Sequence, residues 1–175
     1  MQLSQDQLAI EIEQAVRATF RTTSLVSLLK VGFGSTTITV KQLFGDLGKR
    51  FGYKVAAAGY PGADDGEWLY DMVWYTLENG FMIQQNLVLE SELNPDPVLD
   101  GDFQKLVQAR ADVRVWVSCS PNKQMAEQHI TNCRKQAVLF SGALHGDTYI
   151  FVTDNWTTPS TTVERFVVAN LPHSS

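Results

Sequence analysis

Three carboxylates interrupt stretches that are otherwise apolar: Asp71 within Trp68-Leu69-Tyr70-Asp71-Met72-Val73-Trp74-Tyr75, and Glu90 and Glu92 at the end of Leu87-Val88-Leu89. Desolvating a charge costs more than a neighbouring Trp or Val contributes, so acids in such runs require partners. Side chains alternate faces along a strand. Asp71 then shares a face with Leu69, Val73 and Tyr75, and Glu90 and Glu92 share one with Val88. Asn79-Gly80 lies between the two runs and is a strong hairpin signal. Pairing through that hairpin sets neighbouring strands about 4.8 Å apart, with alternate residues of one strand about 7 Å apart. Three like charges in that span repel unless a cation lies between them. A hard divalent ion such as Mg²⁺ takes oxygen ligands, keeps several waters and needs one or two protein carboxylates. Asp71 and Glu90 are the expected metal ligands. Glu92 would hold a second ion or orient and deprotonate a water for attack on phosphorus, so Asp71, Glu90 and Glu92 are the catalytic candidates. The alternative is that the sheet ends early, leaving Glu90 and Glu92 in a solvated loop and Asp71 at an edge or paired with Arg114.

The elements that must position these residues follow from spacing. Ser4-Gln5-Asp6-Gln7 forms a capping box, and Leu8, Ile12, Ala15, Val16 and Thr19 predict a helix from about Gln5 to Phe20, with Glu13 and Arg17 as an exposed pair. After a Ser- and Thr-rich patch, Val40, Leu43, Phe44, Leu47 and Phe51 mark a second helix that Gly52 ends. Tyr53 to Ala58 reads as a strand and Gly59 to Gly66 as a loop; Trp68 to Leu77 and Phe81 to Leu93 form the hairpin. Asn94-Pro95-Asp96-Pro97 breaks the chain before a helix from Phe103 to about Asp112. Val113 to Cys119 is a strand, and Pro121 opens a polar helix to about Lys135. Ala137 to Leu144 and Thr148 to Thr153 suggest a hairpin around His145-Gly146-Asp147, with Phe166-Val167-Val168 last. The order predicts an α/β protein, a mixed central sheet flanked by helices.

The 175 residues suit a single domain, 1–175. No apolar run reaches a membrane span and the N-terminus lacks a signal-peptide pattern, so the default expectation is a cytoplasmic protein with no membrane partner. A net charge of −5 argues against broad charge-driven attachment to nucleic acid, though it leaves room for a local basic groove. Arg110, Arg114, Lys123, Arg134 and Lys135 would supply such a strip and Trp156 a stacking surface, but these charges are interspersed with acids. Cys119 and Cys133 are expected as free thiols. His129, His145 and His173 fit no zinc spacing and read as surface residues. Gly32-Phe33-Gly34-Ser35 and Gly142-Ala143-Leu144-His145 lack a phosphate-loop lysine, and no nucleophile-elbow pattern frames Ser118-Cys119-Ser120.

A strand, a hairpin bearing Asp and then Glu-x-acidic, a helix and a further strand, spanning about Val40 to Cys119, resemble the core of the PD-(D/E)XK nucleases, the restriction-endonuclease-like fold. The resemblance implies a nuclease-like core over 40–119 and a Mg²⁺- or Mn²⁺-dependent phosphodiesterase acting on DNA. It places Asp71 at the metal-binding Asp, Glu90 at the acidic position and Glu92 at the position the family usually gives to Lys. No Pro precedes Asp71. Lys105, on the following helix, is a possible replacement for the lysine, but its helical position opposite Phe103, Leu106 and Val107 predicts that it faces solvent. Glu11 and Glu13 occupy an early helix from which the family often adds an acid, and both read as surface residues. The competing class is a fold relative without turnover that acts as a binding or interaction module. The family's duplex-cutting members often work as dimers, so a homodimer is an open expectation.

Overall fold

The computed structural model describes residues 3–31, 36–93 and 101–169. Helix α1 (Gln5–Thr19) opens on the expected capping box: the Ser4 hydroxyl accepts from the Gln7 N–H and the Gln7 side chain accepts from the Ser4 N–H. The Ser- and Thr-rich patch carries a further short helix, α2 (Leu25–Val31), which apolar spacing did not reveal. There the Ser24 hydroxyl accepts from the Ser27 N–H at 3.1 Å, and Leu25, Val26 and Leu29 are buried. Helix α3 (Thr36–Arg50) ends before Gly52, whose φ of 85° is open to glycine without strain.

The strands are β1 (Lys54–Ala56), β2 (Met72–Glu78), β3 (Phe81–Glu92), β4 (Val113–Ser120), β5 (Thr148–Asn155) and β6 (Thr162–Val167). Helix α4 (Gly101–Gln108) links β3 to β4, and α5 (Lys123–Leu139) links β4 to β5. They form one mixed six-stranded sheet in the order β1-β2-β3-β4-β5-β6. Pairs β1/β2, β2/β3 and β5/β6 are antiparallel, whereas β3/β4 and β4/β5 are parallel. Helices α1, α2 and α3 bury Leu8, Ile12, Val26 and Phe44 against Met72, Trp74, Leu89 and Val115 on one face. Helices α4 and α5 bury Phe103, Leu106 and Ile130 against Val73, Val88, Trp116 and Phe151 on the other. Covering both faces explains why β4 and β5 are buried at every position.

Several expectations are corrected. Strand β2 begins at Met72, not Trp68, so Asp71 stands just before the strand rather than inside it. The reason is local: the Trp68 indole donates to Asp65 at 3.2 Å and its ring packs on Tyr75 at 4.8 Å, folding the segment over the sheet. Helix α5 starts after Asn122, whose side chain accepts from the Met125 N–H, and runs on to Leu139. Residues 137–139 therefore belong to a helix, which buries Ile130, Cys133 and Ala137 at helical spacing. The expected hairpin around His145 does not form. Instead β5 lies parallel to β4 and pairs with β6, which begins at Thr162. His129 is buried rather than exposed, and its Nε2 accepts from the Trp116 indole at 3.0 Å. Both cysteines are free and buried. Gly32 to Ser35, Asn94 to Pro97 and His173 lie outside the described residues. No described helix is long and apolar enough to cross a membrane.

The two ends of the sheet differ in how the strands finish. At one, here termed the mouth, β3, β4 and β5 finish and β2 begins. At the other, β2 and β3 continue beyond β4 as an arm closed by Asn79 (φ 52°) and Gly80 (φ 84°). These angles are those of the expected hairpin turn.

Candidate active site

Pairing of β2 with β3 stops at Met72 opposite Leu89, and the Asp71 side chain takes over from the backbone there. Its Oδ2 accepts from the Ser91 N–H at 2.9 Å and the Ser91 hydroxyl at 2.7 Å. Its Oδ1 lies 3.4 Å from Lys41 Nζ, which reaches over from α3 and also meets Glu67 Oε2 at 2.5 Å. Lys41 is itself buried, so its ammonium depends on these two carboxylates.

Glu90 leaves β3 on the other face, under α4, and is only 4% exposed. Its Oε1 is 3.4 Å from Lys105 Nζ, and it accepts no well-formed hydrogen bond among the described residues. Burial, then the charge of Asp71, pushes the Glu90 carboxyl up to about 8, with Lys105 pulling in the opposite direction. Lys105 is fixed by Asp102 at 2.7 Å, and that hydrogen bond raises its pKa, so the ammonium stays charged. Tyr70, buried beside this group, is raised by desolvation and then by the charge of Glu90.

Of the candidates, Asp71 and Glu90 stand together at the mouth, close enough for one charge to raise the other's pKa. Their carboxylates nevertheless lean to different layers, Asp71 toward α3 and Glu90 toward α4. Glu92 is half-buried two residues further on, at the last position of β3, aligned with Ser118 of β4. No group of three or more His, Cys, Asp or Glu able to hold a metal occurs among the described residues. Lys105 departs from its predicted solvent-facing place: a side chain 38% exposed still has stem enough to bring its ammonium onto Glu90. Lys41 was not anticipated. Its position, next to Val40 and three before Phe44 on a helix face that is largely buried, was the available signal.

The remaining candidates are occupied elsewhere. Glu13 pairs with Arg17 and with Arg165 of β6. Arg114 pairs not with Asp71 but with Asp147 at 3.1 Å, and donates to the Ala109 carbonyl. Arg134 is joined to Glu164, and Lys123 lies 3.7 Å from Glu127, so the basic strip is largely neutralised. The Trp156 indole packs against the core and donates to the Leu93 carbonyl. Cys119 is fully buried, and desolvation, then Asp154, pushes its thiol up to about 12, which leaves it inert as a nucleophile.

Two carboxylates with water are a donor set a hard divalent cation accepts, but Asp71 and Glu90 lean to opposite layers, so they could share one ion only across the end of the sheet. Glu90 Oε1 is a buried acceptor without a well-formed hydrogen bond, and burial, then the charge of Asp71, favour its protonated form despite the Lys105 ammonium 3.4 Å away. Asp71 fits less freely, because Ser91 and Lys41 already satisfy it. In comparisons with known proteins, no family model, curated protein or solved structure matches the chain.

Proposed function

We propose that the chain is a metal-dependent phosphodiesterase acting on DNA, built on a restriction-endonuclease-like core over residues 40–119. One observation supports this reading above all. The run α3-β1-β2-β3-α4-β4, with β3 antiparallel to β2 and parallel to β4, brings Asp71, Glu90 and the Lys105 ammonium to one end of the sheet. In the reading, Asp71 and Glu90 would hold Mg²⁺ or Mn²⁺, which when bound supplies Lewis-acid stabilisation of charge on the phosphoryl group. Lys105, charged and tethered by Asp102, faces the scissile phosphate and takes the part that Glu92 cannot. Glu92, at the rim, accepts a proton from an attacking water. Ser91 fixes the Asp71 carboxylate so that it is oriented before a ligand arrives.

The test is cleavage of single- and double-stranded DNA with Mg²⁺ or Mn²⁺ by the wild type, Asp71→Asn and Glu90→Gln. Expected is metal-dependent product from the wild type alone. Cleavage that survives Asp71→Asn overturns the site. A second reading, a binding module without turnover, draws on Lys41, which already answers the Asp71 charge, and on the acid at position 92. Retained DNA binding with no cleavage under either metal would select it.

A further inference from the structure

Strand pairing sets two rows of residues across the sheet. Glu90 of β3, Trp116 of β4, Phe151 of β5 and Glu164 of β6 are aligned in one, and Glu92, Ser118, Thr153 and Thr162 in the next row toward the mouth. Alternation puts all of these side chains on the face that α4 and α5 cover. In the middle of the rows Trp116, Ser118 and Phe151 are buried. Further on, the rows emerge from under α5 into an open groove of about 650 Å³ between that helix and β6. Thr153, Thr162 and Glu164 form its floor, Ala126 and Ile130 its helix wall, and Pro159 belongs to the loop that borders it. That loop is held in place, because the Asn155 side chain accepts from the Thr158 N–H at 2.8 Å and Asp154 from the Ser160 N–H at 2.6 Å. The groove is therefore preformed, as small-ligand sites usually are.

We propose that this groove holds an unpaired nucleobase of a single-stranded DNA whose backbone crosses the mouth past Asp71 and Glu90. The choice of DNA rests on the nuclease reading, and the choice of an unpaired base rests on the groove. Reach is the first argument. Glu164 stands three strand spacings from Glu90, about 14 Å, which a few nucleotides span at about 3.4 Å per stacked step. Size and lining are the second. The volume lies within the roughly 300–1,000 Å³ of small-ligand pockets, room for a base and its sugar, whereas a paired base enters such a recess only by leaving its stack. Ile130 and Pro159 offer apolar contact to the face of a ring, and the Thr153 and Thr162 hydroxyls can each donate to and accept from its edge. Charge is the third. Lys123 lies 3.7 Å from Glu127 and Arg134 is joined to Glu164, so the lining has no surplus cation with which to grip phosphates. With a net charge of −5 the chain is equally ill-suited to hold a duplex by its backbone, and affinity must come from the base.

The experiment is fluorescence anisotropy on the full chain with a labelled oligodeoxynucleotide, offered single-stranded or as its duplex, in a chelator so that no cleavage intervenes. The single strand is expected to bind at least about tenfold more tightly than the duplex, and deoxynucleosides in excess should displace it. Two substitutions fill the groove from opposite walls, Thr162→Trp from β6 and Ala126→Trp from α5. Each should weaken single-strand binding by about tenfold or more and leave duplex binding as it was, with thermal denaturation confirming the fold. Equal affinity for the two forms, no binding of either, or a single strand bound equally by the wild type and the folded variants overturns the proposal. Cleavage with Mg²⁺ or Mn²⁺ is scored separately. DNA held through the groove and never cut refutes the nuclease reading alone. Cleavage of duplex and single strand alike, retained in both variants, keeps that reading and removes the groove from it.

Discussion

Glu90→Gln should make the protein more stable above about pH 8 while removing the metal binding proposed for that carboxylate. In the unfolded chain the carboxyl ionises near 4.5, whereas in the fold burial and then Asp71 raise it to about 8. Between those values the native state holds a proton that the unfolded chain has released, so stability falls as pH rises through the window. At about 1.36 kcal/mol per pH unit the full span amounts to roughly 5 kcal/mol, and because the repulsion is shared with Asp71 and offset by Lys105, one substitution should recover about 2–4 kcal/mol. The amide keeps the size and hydrogen-bonding capacity of the side chain and carries no charge. For a chain of this length the gain appears as a melting temperature higher by about 5–15 °C at alkaline pH, shrinking to nothing near pH 4. Thermal denaturation across pH, with and without Mg²⁺, is the assay. The ion should raise the wild-type melting temperature at alkaline pH and leave the variant where it was. If the variant is instead less stable at alkaline pH, the carboxylate is held mainly by its Lys105 pair. The account of Glu90 as an acid kept in place against stability would then be wrong.

Lys105→Met should abolish cleavage by about 100-fold or more with little change in folding, and it should raise the pH at which Glu90 releases its proton, since Lys105 lowers that value; unchanged turnover would remove Lys105 from the site. Asp64 is held at about 2: burial pushes it up, but Lys49, the Val55 N–H and Lys54 outweigh that, so its contribution is present above about pH 4 and lost toward pH 2. Asp64→Asn should therefore cost about 2 kcal/mol in urea denaturation at neutral pH and almost nothing near pH 2. Gly48→Ala would place a Cβ 2.7 Å from the buried Trp74 ring, so it should destabilise by about 1–2 kcal/mol even though alanine is the better helix former.

How much of this was readable in the chain differs by element. The Ser4 capping box and the Asn79-Gly80 turn carry local signals, and both formed. Residues 137–144 misled because Ala137, Val138 and Leu139 are apolar in succession, and periodicity alone cannot separate a short strand from the last turn of a buried helix. Trp68 to Tyr70 read as strand from composition, yet the Trp68 indole turns back three residues to bond Asp65 and its ring packs on Tyr75, a local fold-back that apolar composition does not register. At the site, the sheet parity of Glu90 was legible, whereas the swing of Asp71 toward Lys41 depends on where α3 lies, which the sequence does not state. The Lys105 contact was missed for a related reason: a helical wheel locates the Cα of a lysine but not the end of its long stem.

The length of β3 has one more consequence. The strand runs unbroken from Phe81 in the arm to Glu90 at the mouth, nine steps that span about 30 Å. The same strand is exposed or half-buried from Phe81 to Gln85 and fully buried from Asn86 to Glu90. Its amide protons should therefore exchange with solvent in two classes, fast along the arm and near the rate of global unfolding at the mouth.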